Sequence, residues 1–255
     1  MRMRFKPYAR PELLACDFHV HEPLTHAGEW HSLYARPEQP WHLELGCGKG
    51  GFLAQLAPSH PDVNYLGIDI TDKVLILAKR KVEAAYAAKN LAPDNVLIAS
   101  LDIERMTPCF APEDKVSRIY INFCNPWSKN AGSNKHRLTH PRQLLQYRRL
   151  MDEGAEIYFK TDDDDLFRDS LGYFPAAGFE ITWQTFDLHA DEPCWNLRTE
   201  HEGMFSEQGI PIKALIARKK PGADSVTWVD PKVLKRMARE AAAAEAATQE
   251  GEANV

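Results

Sequence analysis

No stretch of this chain approaches the apolar length of a membrane span, and the opening residues 1–10 (MRMRFKPYAR) are not followed by the apolar run of a signal peptide. A cytoplasmic protein is expected. Cysteine is also sparse. Cys16, Cys47, Cys109, Cys124 and Cys194 are odd in number, scattered and without a CxxC pair, which speaks against a disulfide framework and against a zinc site. No metal is expected. Basic residues are missing from the end of the chain, where residues 240–255 hold four Glu and no Lys or Arg. There is no internal repeat.

The formal net charge of −5 argues mildly against a nucleic-acid partner, but setting aside the four tail glutamates leaves −1. Within that remainder basic residues cluster: Arg2, Arg4, Lys6 and Arg10; Lys79, Arg80 and Lys81; Lys129, Lys135, His136 and Arg137; Arg142, Arg148 and Arg149. Local patches, more than net charge, attract a phosphate backbone, although each cluster alone also fits a solvated surface.

At 255 residues the chain suits one large α/β unit with appended segments. Apolar runs at 41–45, 64–70, 95–99, 116–123 and 155–160 alternate with helix-like stretches near 51–58, 71–89, 140–151 and 163–177. That alternation predicts βαβ units, hence a mainly parallel sheet with helices on both faces. Residues 180–188 (EITWQTFDL) and 212–218 (IKALIAR) alternate apolar and polar without a long helix between them, so an antiparallel edge pair is expected. Three segments follow: an N-terminal arm over 1–40 that wraps the core, a domain over 41–220, and a segment over 221–255 in which a helix after Asp230 fades into a disordered acidic tail.

The chemistry gathers at strand ends. Glu44-Leu45-Gly46-Cys47-Gly48-Lys49-Gly50-Gly51 closes the first strand and opens a helix. Glycines allow close backbone approach to a ligand, and free amides at a helix start favour electron-rich groups. The string fits G-x-G-x-x-G of dinucleotide-binding enzymes and E-x-G-x-G-x-G of S-adenosylmethionine-dependent methyltransferases, so hydride and methyl transfer both remain open at this point. Asp69, closing the second strand, suits either, since a carboxylate there accepts from two ribose hydroxyls. Asn95, opening the third strand, and Asp102, after its end, are placed beside the adenine, with a helix N-cap as the plainer role for Asp102. At the end of the fourth strand, Asn125-Pro126-Trp127 forms a polar-Pro-aromatic corner followed by basic residues. It reads either as an active-site wall or as a simple turn with a packed Trp.

Such a corner is common in methyltransferases acting on nucleobases or amino groups and unusual in dehydrogenases. The order of motifs over residues 1–220 resembles the bacterial tRNA (guanine-N7)-methyltransferases: MRMRFKP at the start, E-x-G-x-G-x-G, the strand-two acid, NFCNPWSK, RLT, FKTD-x-x-LF, FDLH and T-x-x-E. The resemblance implies a class I, Rossmann-like fold and methyl transfer from S-adenosylmethionine to N7 of a guanine in tRNA, in the variable loop at position 46. It implies cofactor contacts from Glu44, Gly46, Gly48, Asp69, Asp102 and the Asn125 corner, and tRNA or guanine contacts from Lys129, Asp162, Thr199, Glu200, His201 and Glu202. Asn125 is the catalytic position and departs from the Asp usual in the family. A monomer or homodimer is expected. Two other readings stand beside this one: a class I methyltransferase acting on a base amino group or small molecule, and a catalytically silent RNA-binding homologue.

Overall fold

The computed structural model describes residues 6–127, 131–222 and 226–230. Its frame is an eight-stranded sheet in the order β1-β4-β3-β2-β5-β6-β8-β7. The strands are β1 (His19–Val20), β2 (Trp41–Leu45), β3 (Asn64–Asp69), β4 (Val96–Ser100), β5 (Val116–Asn122), β6 (Met151–Thr161), β7 (Phe179–Thr185) and β8 (Lys213–Lys219). The helices are α1 (Ala9–Leu14), α2 (Gly51–Leu56), α3 (Asp72–Ala88), α4 (Pro141–Leu150), α5 (Asp164–Ala176) and α6 (Glu200–Glu207).

β1 to β6 pair in parallel, and β8 runs antiparallel between β6 and β7. The expected edge pair is therefore present. The chain steps from β2 outward through β3 to β4, then returns to place β5 on the other side of β2. The carboxyl ends of β2 and β5 flank this switch point, where open α/β sheets bind ligands. The strands that meet there are largely apolar because helices cover both faces; Leu43, Leu45, Ile68, Ile119 and Ile121 are all fully buried.

Residues 9–34 do more than wrap the core. β1 adds an edge strand beside β4, and Trp30 and Trp41 stack at 6.0 Å with both rings out of solvent. The buried Asp114 carboxylate accepts from the amides of Gly28 (2.6 Å), Ala111 (2.8 Å) and Trp30 (3.4 Å), pinning this segment to the loop before β5. At the other end of the chain Trp228 meets the His140 ring edge-on at 4.8 Å. The helix expected after Asp230 lies outside the described residues.

Some element bounds differ from expectation for local reasons. β6 begins at Met151 rather than 155, because polar Asp152-Glu153-Gly154 forms an irregularity, with Gly154 at φ +75°, that shifts the register against β5. β5 stops at Asn122 because Phe123 takes φ +53°. The third strand starts at Val96, and Asn95 corrects the placement beside the adenine. Asn95 sits at the amino end of β4, opposite the glycine loop, and is 1% exposed. Its amide donates to the carbonyls of Val63 (2.8 Å), His60 (3.1 Å) and Ala57 (3.2 Å), and Tyr86 donates to its oxygen. A buried amide bound on every side closes the bottom of the sheet and cannot reach a ligand at the top.

Asn95→Ala should lower unfolding free energy by about 2–4 kcal/mol, since several buried groups lose partners at once. Denaturant titration measures this, and cofactor affinity should be unchanged.

Candidate active site

Gly46, Gly48 and Gly50 carry φ of +78°, +55° and +70°, so the loop between β2 and α2 turns in the left-handed region three times. Gly50 is the strictest of these, because a Cβ there would lie 2.6 Å from the Cβ of Ala78 on α3. The loop is braced from β3: Ile68 O accepts from the amides of Gly46 and Cys47, each at 2.9 Å, and Asp69 accepts from the Gly48 amide at 3.0 Å. The other oxygen of Asp69 accepts from Thr71 N at 3.3 Å. Asp69 therefore orients the loop and keeps lone pairs for a ligand at the strand end.

Glu44 lies beneath the loop on β2, 3% exposed. Asn122, at the end of β5, donates to its Oε1 at 3.1 Å, while its Oε2 is buried without a hydrogen-bond partner. Burial pushes the carboxyl up to about 7, against the opposing pull of the Asn122 bond and the Lys160 charge. An unmatched buried oxygen costs about 1–3 kcal/mol, so its place beneath a ligand loop indicates a cationic or hydrogen-bonding guest. The α-ammonium of an amino acid is such a group. Beside Asp69, Ile70 is 63% exposed, an apolar face suited to a purine ring. It borders a cleft of about 700 Å³ whose far wall is α1. Asp102 stands at this same end, after β4, where its Oδ1 caps a 3₁₀ turn by accepting from Glu104 N at 3.0 Å. The plainer N-cap role is thus filled, without removing Asp102 from the adenosine end.

Across the switch point, the Asn125 corner is tight. Its side-chain oxygen accepts from Trp127 N at 3.1 Å, and both Phe123 (φ +53°) and Trp127 (φ +50°) hold left-handed conformations rare for such residues. Trp127 is not packed beneath the strand, as the simple-turn reading requires, but is 39% exposed. Lys129 lies outside the described residues. Asp162 follows β6 at the same end of the sheet and is half-buried; the next aspartate, Asp163, caps α5 by accepting from Leu166 N at 2.7 Å.

Thr199, Glu200 and His201 face Glu44 and the glycine loop across a cavity of about 200 Å³. Glu200 pairs with Lys81 on α3, which ties the start of α6 over the loop, and His201 stacks on Phe123 at 6.1 Å. Glu202 departs from the role expected of it. It is fully buried and accepts from Lys160 Nζ (2.6 Å), Asn196 Nδ2 (2.7 Å), His189 Nε2 (2.8 Å) and the Thr199 amide (3.3 Å). Burial alone would raise its carboxyl, but Lys160 and the hydrogen bonds outweigh it and hold Glu202 below the ordinary range. A carboxylate so saturated does not contact a base. It anchors Thr199–His201 through a capping box, and removing one partner of a buried pair typically costs about 3–5 kcal/mol.

The structure thus brings Glu44, Gly46, Gly48, Thr199, Glu200 and His201 around one cleft, with Asp69 bracing its loop, leaves Asp102, Asn125 and Asp162 at the same end of the sheet, and separates Asn95 and Glu202 from it. Sequence reasoning missed Asn122, Lys160 and Ile70. The first two lay inside the quoted motifs NFCNPWSK and FKTD but had no role until pairing sets Asn122 beside Lys160. Ile70 read as one more apolar strand residue.

A parallel sheet with this switch point, a glycine loop after its first core strand, an acid after the next and a buried carboxylate below define a class I, Rossmann-like methyltransferase. The methyltransferase family model Methyltransf_4 matches residues 38–215. The crystal structure of the 16S rRNA methyltransferase KamB superimposes with a TM-score of 0.53 at 14% identity, covering 86% of this chain and 96% of that one, a likeness of fold. The tRNA (guanine-N(7)-)-methyltransferase of Clostridium perfringens strain SM101 is 54% identical over 219 residues, 86% of this chain and 100% of that protein. That of Clostridium beijerinckii is 54% identical over the same share of this chain and 99% of its own length, and that of Ruminiclostridium cellulolyticum is 49% identical over 93% of its length. The chain belongs to the tRNA (guanine-N7)-methyltransferase family.

Because burial raises Glu44 from an ordinary 4.5 to about 7, folding takes up a proton in that window, and this group's contribution to stability declines as pH rises through it. An ammonium guest reverses the preference, favouring the carboxylate. S-adenosylmethionine affinity should therefore rise from about pH 6 to about pH 8 with release of a proton, and Glu44→Gln should bind roughly 10- to 100-fold more weakly without that pH dependence. Calorimetry in buffers of different ionisation heat reads both; a pH-independent wild-type affinity contradicts the assignment.

Proposed function

We propose that this chain transfers the methyl group of S-adenosylmethionine to N7 of a guanine in tRNA, in the variable loop at position 46, in the cytoplasm. The observation that carries the reading is the buried, unpartnered Glu44 oxygen beneath the glycine loop, in a cavity also lined by Asn122 and Phe123, the residues that lead into the Asn125 corner. Glu44 takes the amino-acid end of the cofactor, Asp69 its ribose, and Ile70 with Asp102 its adenine. When bound, the cofactor supplies an electrophilic methyl group on a sulfonium centre.

Guanine N7 carries a lone pair and no proton, so the protein needs alignment and charge stabilisation more than a general base. Asn125 fits that need. Its Oδ1 keeps one lone pair beyond the Trp127 bond, and its amide N–H groups remain available to the base. Asp162 accepts from the N1 and N2 donors of guanine, while Glu200 and His201 close the cleft from above. Lys129 and the N-terminal arm meet the phosphate backbone, which gives binding a steep salt dependence.

Nucleoside mass spectrometry of unmodified tRNA, after incubation with protein and labelled cofactor, should find 7-methylguanosine at position 46. Lys129→Ala should weaken tRNA binding and make its salt slope shallower. In single-turnover assays Asn125→Ala should lose most of the rate with little change in cofactor affinity, whereas Asn125→Asp should keep or raise it. A carboxylate adds attraction for the positive charge appearing on the ring, about 1.5–3 kcal/mol for one charge-assisted contact, or roughly tenfold or more. An inactive wild type with an active Asn125→Asp would instead support the silent homologue.

A further inference from the structure

His136 and Arg137 belong by sequence to the basic stretch after the Asn125 corner, and by charge alone they read as tRNA-facing. The structure turns Arg137 inward and leaves His136 half-buried. The Arg137 side chain is 3% exposed; its Nε donates to the carbonyl oxygen of Pro126 at 2.7 Å, and its guanidinium pairs with Asp169 on α5. The His136 ring lies 5.2 Å from that of Trp127, and its Nδ1 is 2.8 Å from Glu104 in the turn after Asp102. A guanidinium enclosed in this way has no face left for a phosphate in solvent.

What it holds is a strained corner. Phe123 and Trp127, on either side of Asn125-Pro126, both have positive φ, and such conformations persist only where the surroundings over-determine them. The geometry points to Arg137 and Asp169 as a buckle that positions Asn125: the pair fixes the Pro126 carbonyl, hence the peptide plane, hence the direction of the Asn125 side chain. The far half of the buckle is on α5, the helix that begins just after Asp162 and is capped by Asp163. Asn125 and Asp162, which follow the ends of β5 and β6, are thereby held in one fixed relation around the base. This inference rests on the reading of Asn125 as the group that aligns guanine.

The test uses Asp169→Asn, Asp169→Glu and Arg137→Lys in the full chain. Asp169 is 46% exposed, so its replacement leaves the core closed, and lysine at 137 keeps the charge but lacks the guanidinium fork. Asp169→Asn and Arg137→Lys should each slow single-turnover methylation at saturating tRNA and cofactor about tenfold, the cost of misplaced reacting groups. The tRNA dissociation constant and its salt slope should stay at wild-type values, and Asp169→Glu should recover most of the rate. Independently of any substrate, amide hydrogen exchange across residues 121–127 should be faster in Asp169→Asn. Weakened tRNA binding with a shallower salt slope and an unchanged rate would make Arg137 a phosphate contact and overturn the buckle. A lower melting temperature with rate and exchange unchanged would make it a packing residue only and overturn it equally. A wild type that does not methylate tRNA contradicts the proposed activity instead, and the exchange comparison still decides whether the buckle holds the corner.

Discussion

A carboxylate that cannot be satisfied by its own protein organises this molecule. Glu44 is buried at the switch point of the sheet, bound on one oxygen by Asn122 and unmatched on the other. In a folded core such a group is a liability of about 1–3 kcal/mol, and it survives where a ligand completes it. Around it lie a loop of left-handed glycines, the Asp69 brace and an exposed Ile70. The parallel strands set the depth of Glu44, and the left-handed turns of the loop keep side chains from filling the space above.

Lys160 links this centre to the other half of the cleft. It neighbours Asn122 across β5 and β6, lends positive charge to Glu44 and pairs directly with Glu202. Through the capping box of α6 that buried pair fixes Thr199, Glu200 and His201 opposite the glycine loop. One lysine thus helps to set the floor and the far wall together. The antiparallel strands at the sheet edge matter for the same reason, since they carry the chain out and back so that α6 returns over the site.

Much of this was legible in the sequence. Alternating apolar and helical stretches located the parallel core, the glycine loop and Asp69 marked the end of the sheet where the cleft opens, and the switch to strand alternation after Gly178 located the edge pair. What the sequence obscured shares one physical cause: polar residues whose partners are distant in the chain. Asn95 opens a strand, and only the pairing shows that it closes the bottom of the sheet with Tyr86 and three carbonyls. Glu202 carries a recognisable capping pattern, but its saturation depends on Lys160, forty-two residues earlier. Arg137 lies in a basic run, yet its charge is spent on Asp169 and Pro126. Local charge patterns mark where such residues are and leave open which way they face.

The central claim is that the free oxygen of Glu44 receives the cationic end of the cofactor. Infrared difference spectroscopy at about pH 6, below the raised value of the carboxyl, tests it most directly. Adding S-adenosylmethionine to the wild-type protein should remove the carbonyl band of one protonated carboxyl group, and Glu44→Gln should show no such loss. Cofactor binding that left the carboxyl bands of the wild type untouched would contradict the account.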